Sequence, residues 1–144
     1  MRALFDVNFI IALLDPDHVH SERAHDWWAA NRSLGWASCP IAENGVVRIL
    51  SNPNYSSNLR LTPNDIIGLL RGFVIDSDHE FWPDDISLRD DKIFHSDRIH
   101  GSGQLTALYL LALATRNNGR LVTFARGIAL SAVNGAKTQN LCVA

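Results

Sequence analysis

Apolar and polar positions along this chain fall into short blocks whose period changes from block to block. Ala3-Leu4-Phe5 is a short apolar run that predicts a buried strand, and Asp6-Val7-Asn8 ends it before an apolar helix over residues 9–14. After the loop Asp15-Pro16-Asp17, Ser21 is placed to cap a second helix, SERAHDWWAANR, with Ala24, Trp27 and Trp28 on or near its apolar face. Gly35 closes that unit, and Trp36-Ala37-Ser38-Cys39 predicts a second strand. Pro40 then opens the helix PIAENGVVRILS, because proline suits a first helical position.

A polar loop over residues 51–61 leads to Thr62-Pro63-Asn64-Asp65, a helix start with a cap, a proline at its first position and an acidic first turn. That helix is expected to run to about Ile75. His79-Glu80-Phe81-Trp82 predicts a strand stopped by Pro83, and residues 84–97 are acidic and irregular or short-helical. Gly101 and Gly103 precede QLTALYLLALATRNNG, a helix apolar on nearly all sides and therefore buried. Asn118-Gly119 ends it, Leu121-Val122-Thr123-Phe124 is the next strand, and Leu141-Cys142-Val143 is a candidate edge strand. Short apolar strands alternating with helices imply a mainly parallel central sheet flanked by helices, one α/β domain over residues 1–144.

Composition narrows this picture only a little. The 144 residues suffice for one core, and 47% hydrophobic content with a net charge of −2 describes an ordinary globular chain. The longest apolar run, residues 108–114, is too short for a bilayer, which takes about 20 residues. The N-terminal stretch MRALFDVNFIIALLD is broken by Asp6 and Asn8 and lacks a cleavage site after Leu14, so it is expected to be folded protein in the cytoplasm. Cys39 and Cys142 sit in apolar surroundings and are expected to be buried thiols. Arginines outnumber lysines, which suits phosphate contacts but also follows from genomic base composition.

Chemistry has few places to sit. Asp6 follows a strand and heads a helix, which fits either a cap or a carboxylate set for a divalent ion or covalent attack. Glu43, one of three glutamates, lies early in an otherwise apolar helix, where the helix dipole alone favours an acid. Both follow strands on adjoining βα units, so they are expected to converge at one sheet edge. Mg²⁺ takes one or two protein carboxylates, with water and phosphate oxygen completing its shell. His18, His20 and His25 miss the i, i+4 spacing of a helical metal pair and read as solvated helix-start histidines. No Gly-rich phosphate loop, GxSxG or CxxC motif is present. Most unusual is GRLVTFARGIAL, where Ala125 takes a place at a strand's carboxyl end that ligand-binding groups usually hold.

In order and spacing, LFDVNFIIALLDPDHVHSERAHDWW, CPIAENGVVRILSNP and QLTALYLLALATRNNGRLVTFARGIAL resemble VapC-type PIN-domain toxins across essentially the whole chain. HEFWPDD also looks like the segment such proteins carry before the central helix. The resemblance implies a PIN-like fold and a Mg²⁺- or Mn²⁺-dependent endoribonuclease of a toxin–antitoxin pair. It also implies a VapB-like antitoxin as partner, an RNA substrate and a homodimer. The family's acidic cluster maps onto Asp6, Glu43, Ala107 and Ala125, the last two standing where the family has acids. Asp6 would be the main metal ligand and Glu43 a ligand or water-orienting base. Arg126 and Arg48 are candidate contacts to RNA phosphates, surface salt pairing being the alternative for each.

Both departures are to alanine within intact flanks, which is the signature expected of deliberate inactivation; a naturally silenced homologue is the alternative. The native gene sequence decides between them. The chain is accordingly expected to fold but to cleave RNA poorly or not at all. A haloacid-dehalogenase-like phosphatase would need a second aspartate where Asn8 stands and a late catalytic lysine, where only Lys137 is present. A pseudonuclease acting through antitoxin or RNA binding is the non-enzymatic reading.

Overall fold

A computed structural model describes residues 1–58 and 60–144. Five strands form one all-parallel sheet: β1 (Ala3–Phe5), β2 (Trp36–Ser38), β3 (His79–Phe81), β4 (Arg120–Thr123) and β5 (Leu141–Val143). Their order is β3-β2-β1-β4-β5, with Leu4 opposite Ala37 on one side and Leu121 on the other. Helices α1 (Val7–Leu14), α2 (Ser21–Asn31), α3 (Pro40–Leu50), α4 (Pro63–Ile75) and α5 (Leu105–Arg116) flank it. This is the α/β, PIN-like fold that the resemblance implies.

The central strands β1 and β2 are short and buried from end to end. Phe5 is the hub of an aromatic cluster, 4.6 Å from Phe9 and 5.0 Å from Trp36 between ring centres, with Trp27 and Trp28 edge-on at 5.8 Å. Trp36 and Trp28 each meet Phe73, so α2 and α4 share one face of the sheet. Helix α5 supplies an unbroken buried run from Leu108 to Ala114, as its apolar circumference predicts.

Helix ends follow local chemistry with a few revisions. Thr62 and Asp65 form a reciprocal capping box on α4. Ser21 does not cap α2: it is the first helical residue, and His20 stands at the cap position without a side-chain bond. Asn118 takes the left-handed conformation (φ 55°) that closes α5. Gly119 is required by space, since a Cβ there would lie 2.7 Å from the Arg2 carbonyl oxygen and 2.8 Å from the Trp82 ring. Strand β4 stops at Thr123, leaving Phe124 and Ala125 in the connection beyond it. Cys39 is buried as expected, whereas Cys142 on edge strand β5 is half-exposed, because one side of that strand is uncovered.

Candidate active site

Asp6 ends β1 and opens α1, so the chain reverses around its side chain. One carboxylate oxygen accepts the Val7 N–H at 2.8 Å, and the other accepts the Thr123 hydroxyl at 2.7 Å. Thr123 Oγ1 in turn accepts the Ala125 N–H at 3.0 Å, so its single proton goes to Asp6. A relay thus ties the residue after β1 to the segment after β4, and both side chains in it are buried.

Beside this relay lies a cavity of about 290 Å³ whose polar and small walls include Asp6, Asn8, Arg48, Thr106, Ala107 and Ala125. The structure therefore brings positions 6, 107 and 125 to one cavity from three different parts of the chain. Arg48 comes in from α3. It is exposed and, like Arg126, has no ion pair or hydrogen bond among the described residues. Arg126 lines a smaller adjoining cavity of about 70 Å³ with Ala107 and Ala125.

Glu43 is not brought to this cavity. Ile41, Gly45 and Arg48 of α3 line it, and at 3.6 residues per turn Glu43 stands about 200° round the helix from Ile41 and from Gly45. Glu43 instead lines a groove of about 720 Å³ on the far flank of α3, together with residues of α4 and Phe81. There its Oε2 takes a 2.5 Å hydrogen bond from the Ser38 hydroxyl, and His79 Nε2 lies 2.7 Å from the same Ser38 oxygen. A hydroxyl has one proton, and the short bond to the carboxylate claims it, so His79 donates through Nε2. Burial holds the His79 pKa below its ordinary value, which agrees with a neutral ring.

The residues present do not fit a divalent cation. Asp6 is the one carboxylate on the cavity, and alanine methyls, which offer no oxygen, stand at positions 107 and 125. Among the described residues no group of three or more His, Cys, Asp or Glu could hold a metal ion. The helix-start histidines are not such a site either, and His18 and His20 are less solvated than expected. The His20 N–H donates to His18 Nδ1 at 3.0 Å, and the His20 ring stacks on Phe124 at 4.5 Å.

Three participants escaped the sequence reading. Thr123 had a local signal, because it lies two residues before Ala125, the spacing that returns side chains to one side of an extended chain. Ser38 and His79 had none, because only the pairing of β2 with β3 makes them neighbours.

No family model matches the chain. Among curated proteins of Mycobacterium tuberculosis it is similar to Ribonuclease VapC44, with 47% identity over 141 residues and 98% of each chain covered. Ribonuclease VapC39 is 42% identical over 135 residues, covering 94% of this chain and 96% of the relative. Ribonuclease VapC38 is 39% identical over 136 residues and 94% of each.

Proposed function

The chain belongs to the VapC ribonuclease family, and from that premise we propose that it is the toxin endoribonuclease of a toxin–antitoxin pair, present here in a catalytically silent form. The observation that carries this reading is the convergence of Asp6, Ala107 and Ala125 on one cavity. Two acids at positions 107 and 125 would give that cavity three carboxylates, and such a set suits a divalent ion and a phosphodiester. The present chain has one, and positions 107 and 125 offer no oxygen to an ion.

Its own residues still have definite work. Thr123 fixes the rotamer of Asp6, and Arg48 offers a free cation on the cavity wall where a substrate phosphate would lie. Arg126 extends that positive edge beyond β4. A VapB-like antitoxin, an RNA substrate, a homodimeric state and a cytoplasmic location belong to the same proposal. No helix among the described residues is long and apolar enough to cross a membrane.

The test is the double variant Ala107→Asp/Ala125→Asp. Expected is RNA cleavage in Mg²⁺ or Mn²⁺, abolished by chelation, against little or none for the present chain. Equal cleavage by the two proteins, or none by the double variant when folded, refutes the reading. If the native gene encodes alanine at both positions, the chain is instead a pseudonuclease acting through antitoxin or RNA binding.

A further inference from the structure

Arg23, in the first turn of α2, lies over the Phe124 ring, its guanidinium carbon 5.3 Å from the ring centre. The His20 ring stacks on the same Phe124 at 4.5 Å, and Phe9 supports that ring from α1 at 5.3 Å. Phe124 directly precedes Ala125 on the wall of the Asp6 cavity, so this pair is fixed to the rim of the candidate site. Arg23 also donates to the Ala144 carbonyl oxygen, just past β5, and its Nη1 lies 3.3 Å from His20 Nδ1. An arginine only donates, so His20 Nδ1 accepts, and the neutral ring carries its proton on Nε2. Of the five N–H donors of the guanidinium, two are thereby used and three remain. Arg23 is exposed, and among the described residues no carboxylate side chain pairs with it.

The topology puts these groups in a line. Strands β2, β1, β4 and β5 are neighbours and all parallel, so the groups that follow them share one carboxyl edge. Arg48 reaches the Asp6 cavity from α3, the helix after β2; Arg126 follows β4; and Arg23 meets the residue that follows β5. Neighbouring strands lie about 4.8 Å apart, so the end of β5 is about 10 Å from that of β1. Three cations thus flank Asp6 in the order of the strands, and a negatively charged chain laid across the edge meets them in turn. Tying down the end of β5 takes one N–H of Arg23 and leaves its other donors without a task.

We propose that Arg23 and His20 form a phosphate subsite on the β5 side of the cavity, so that single-stranded RNA crosses the carboxyl edge from Arg48, past Asp6 and Arg126, to Arg23. The free N–H groups of Arg23 meet a phosphate oxygen, and His20 adds its Nε2–H. Seating on Phe124 orients the guanidinium in advance, which lowers the side-chain entropy lost on binding. Such a subsite positions the strand and carries no base information. The inference rests on the proposal that RNA is the substrate, and adds where the strand runs beyond the reacting phosphate.

With alanine at positions 107 and 125 the present chain should hold RNA without cutting it, so binding is read by fluorescence anisotropy of end-labelled decauridylate over a range of KCl concentrations. Each phosphate contact to a single strand contributes about 0.7 to the slope of log K against log salt. Arg23→Gln is expected to lower that slope by about 0.7, and Arg23→Lys to keep it, because counterion release follows charge. Arg23→Gln combined with Arg126→Gln is expected to lower it by about 1.4, two separate phosphates being lost. Arg116→Gln is the control: it lies at the far end of α5, pairs with Asp85 at 3.6 Å, and should leave the slope unchanged. Thermal unfolding checks that each variant folds; Arg23 is exposed, so its replacement spares the core. In the Ala107→Asp/Ala125→Asp form, Arg23→Gln should also raise KM for RNA. An unchanged slope in folded Arg23→Gln overturns the inference. So does a slope lost equally in Arg23→Lys, which would mark a packing role in place of a charge contact. Binding and cleavage that ignore Arg23 sink the subsite alone, whereas absence of both sinks the ribonuclease reading.

Discussion

Replacing Thr123 by valine removes one hydroxyl from the Asp6 relay and leaves almost everything else in place. The side chain is 1% exposed and Asp6 is 7% exposed, so water cannot fully replace the lost donor. A hydrogen bond to a charged group contributes about 1.5–3 kcal/mol. The Ala125 N–H also loses its acceptor, but Ala125 is half-exposed and water offsets part of that. The expected loss is roughly 2–3 kcal/mol, a large share of the ~5–15 kcal/mol that holds a domain together. For a chain of this size that is a fall in Tm of roughly 5–10 °C. Thr123→Ser keeps the hydroxyl and deletes one buried methyl, at about 0.5–1.5 kcal/mol. Urea unfolding of the two variants at pH 7 therefore ranks serine above valine, with unchanged m values. If Thr123→Val is as stable as Thr123→Ser, the hydroxyl does not hold Asp6 and the relay carries no weight.

The two thiols should differ sharply in reactivity. Burial pushes the Cys39 thiol up to about 12, while Cys142 is half-exposed, so iodoacetamide at pH 8 should label Cys142 in the folded protein and Cys39 only on unfolding; equal labelling contradicts this. Both tyrosines are held protonated. Burial and the Asp84 carboxylate push Tyr109 up to about 12, and burial with the hydrogen bond to Asp15 raises Tyr55 further. A folded pKa above the unfolded value of about 10 gives stability that is complete below pH 10 and lost as pH rises through the folded values. Tyrosinate absorbance should accordingly appear together with unfolding above pH 10, and a reversible midpoint near 10 in the folded protein would speak against it.

The alternation of strands and helices was legible because each element carries its own period and punctuation. Proline at the head of α3, the Thr62–Asp65 box and the apolar girth of α5 are local signals, and all three operate as written. The end of β4 was less legible, since Phe124 is as apolar as the strand before it, yet pairing with β5 stops at Thr123. Asp6 was legible as both cap and candidate acid, and it fills the first role through Val7. Glu43 shows the limit. Its place in an early helical turn was plain, but which flank of α3 it faces depends on how that helix rolls against α1. That roll is set by the close approach of Gly45, where a Cβ would lie 2.9 Å from Val7. No linear pattern announces a contact across thirty-eight residues of chain.

The same geometry makes the proposed catalytic silence compatible with stability. The wall positions 107 and 125 are half-exposed, one near the start of α5 and the other beyond β4, and neither side chain is part of the buried core. Carboxylates there would face Asp6 across a small cavity and repel it whenever no cation lies between them, so alanines relieve strain in the empty site. Alanine is also the better helix former at position 107. The Ala107→Asp/Ala125→Asp protein should therefore unfold at a lower temperature than the present chain in chelator, and millimolar Mg²⁺ should close that gap while leaving the present chain unmoved. Stability that rises with both aspartates in the absence of metal would show that the three positions do not sense one another, and the case for a shared acidic site would go with it.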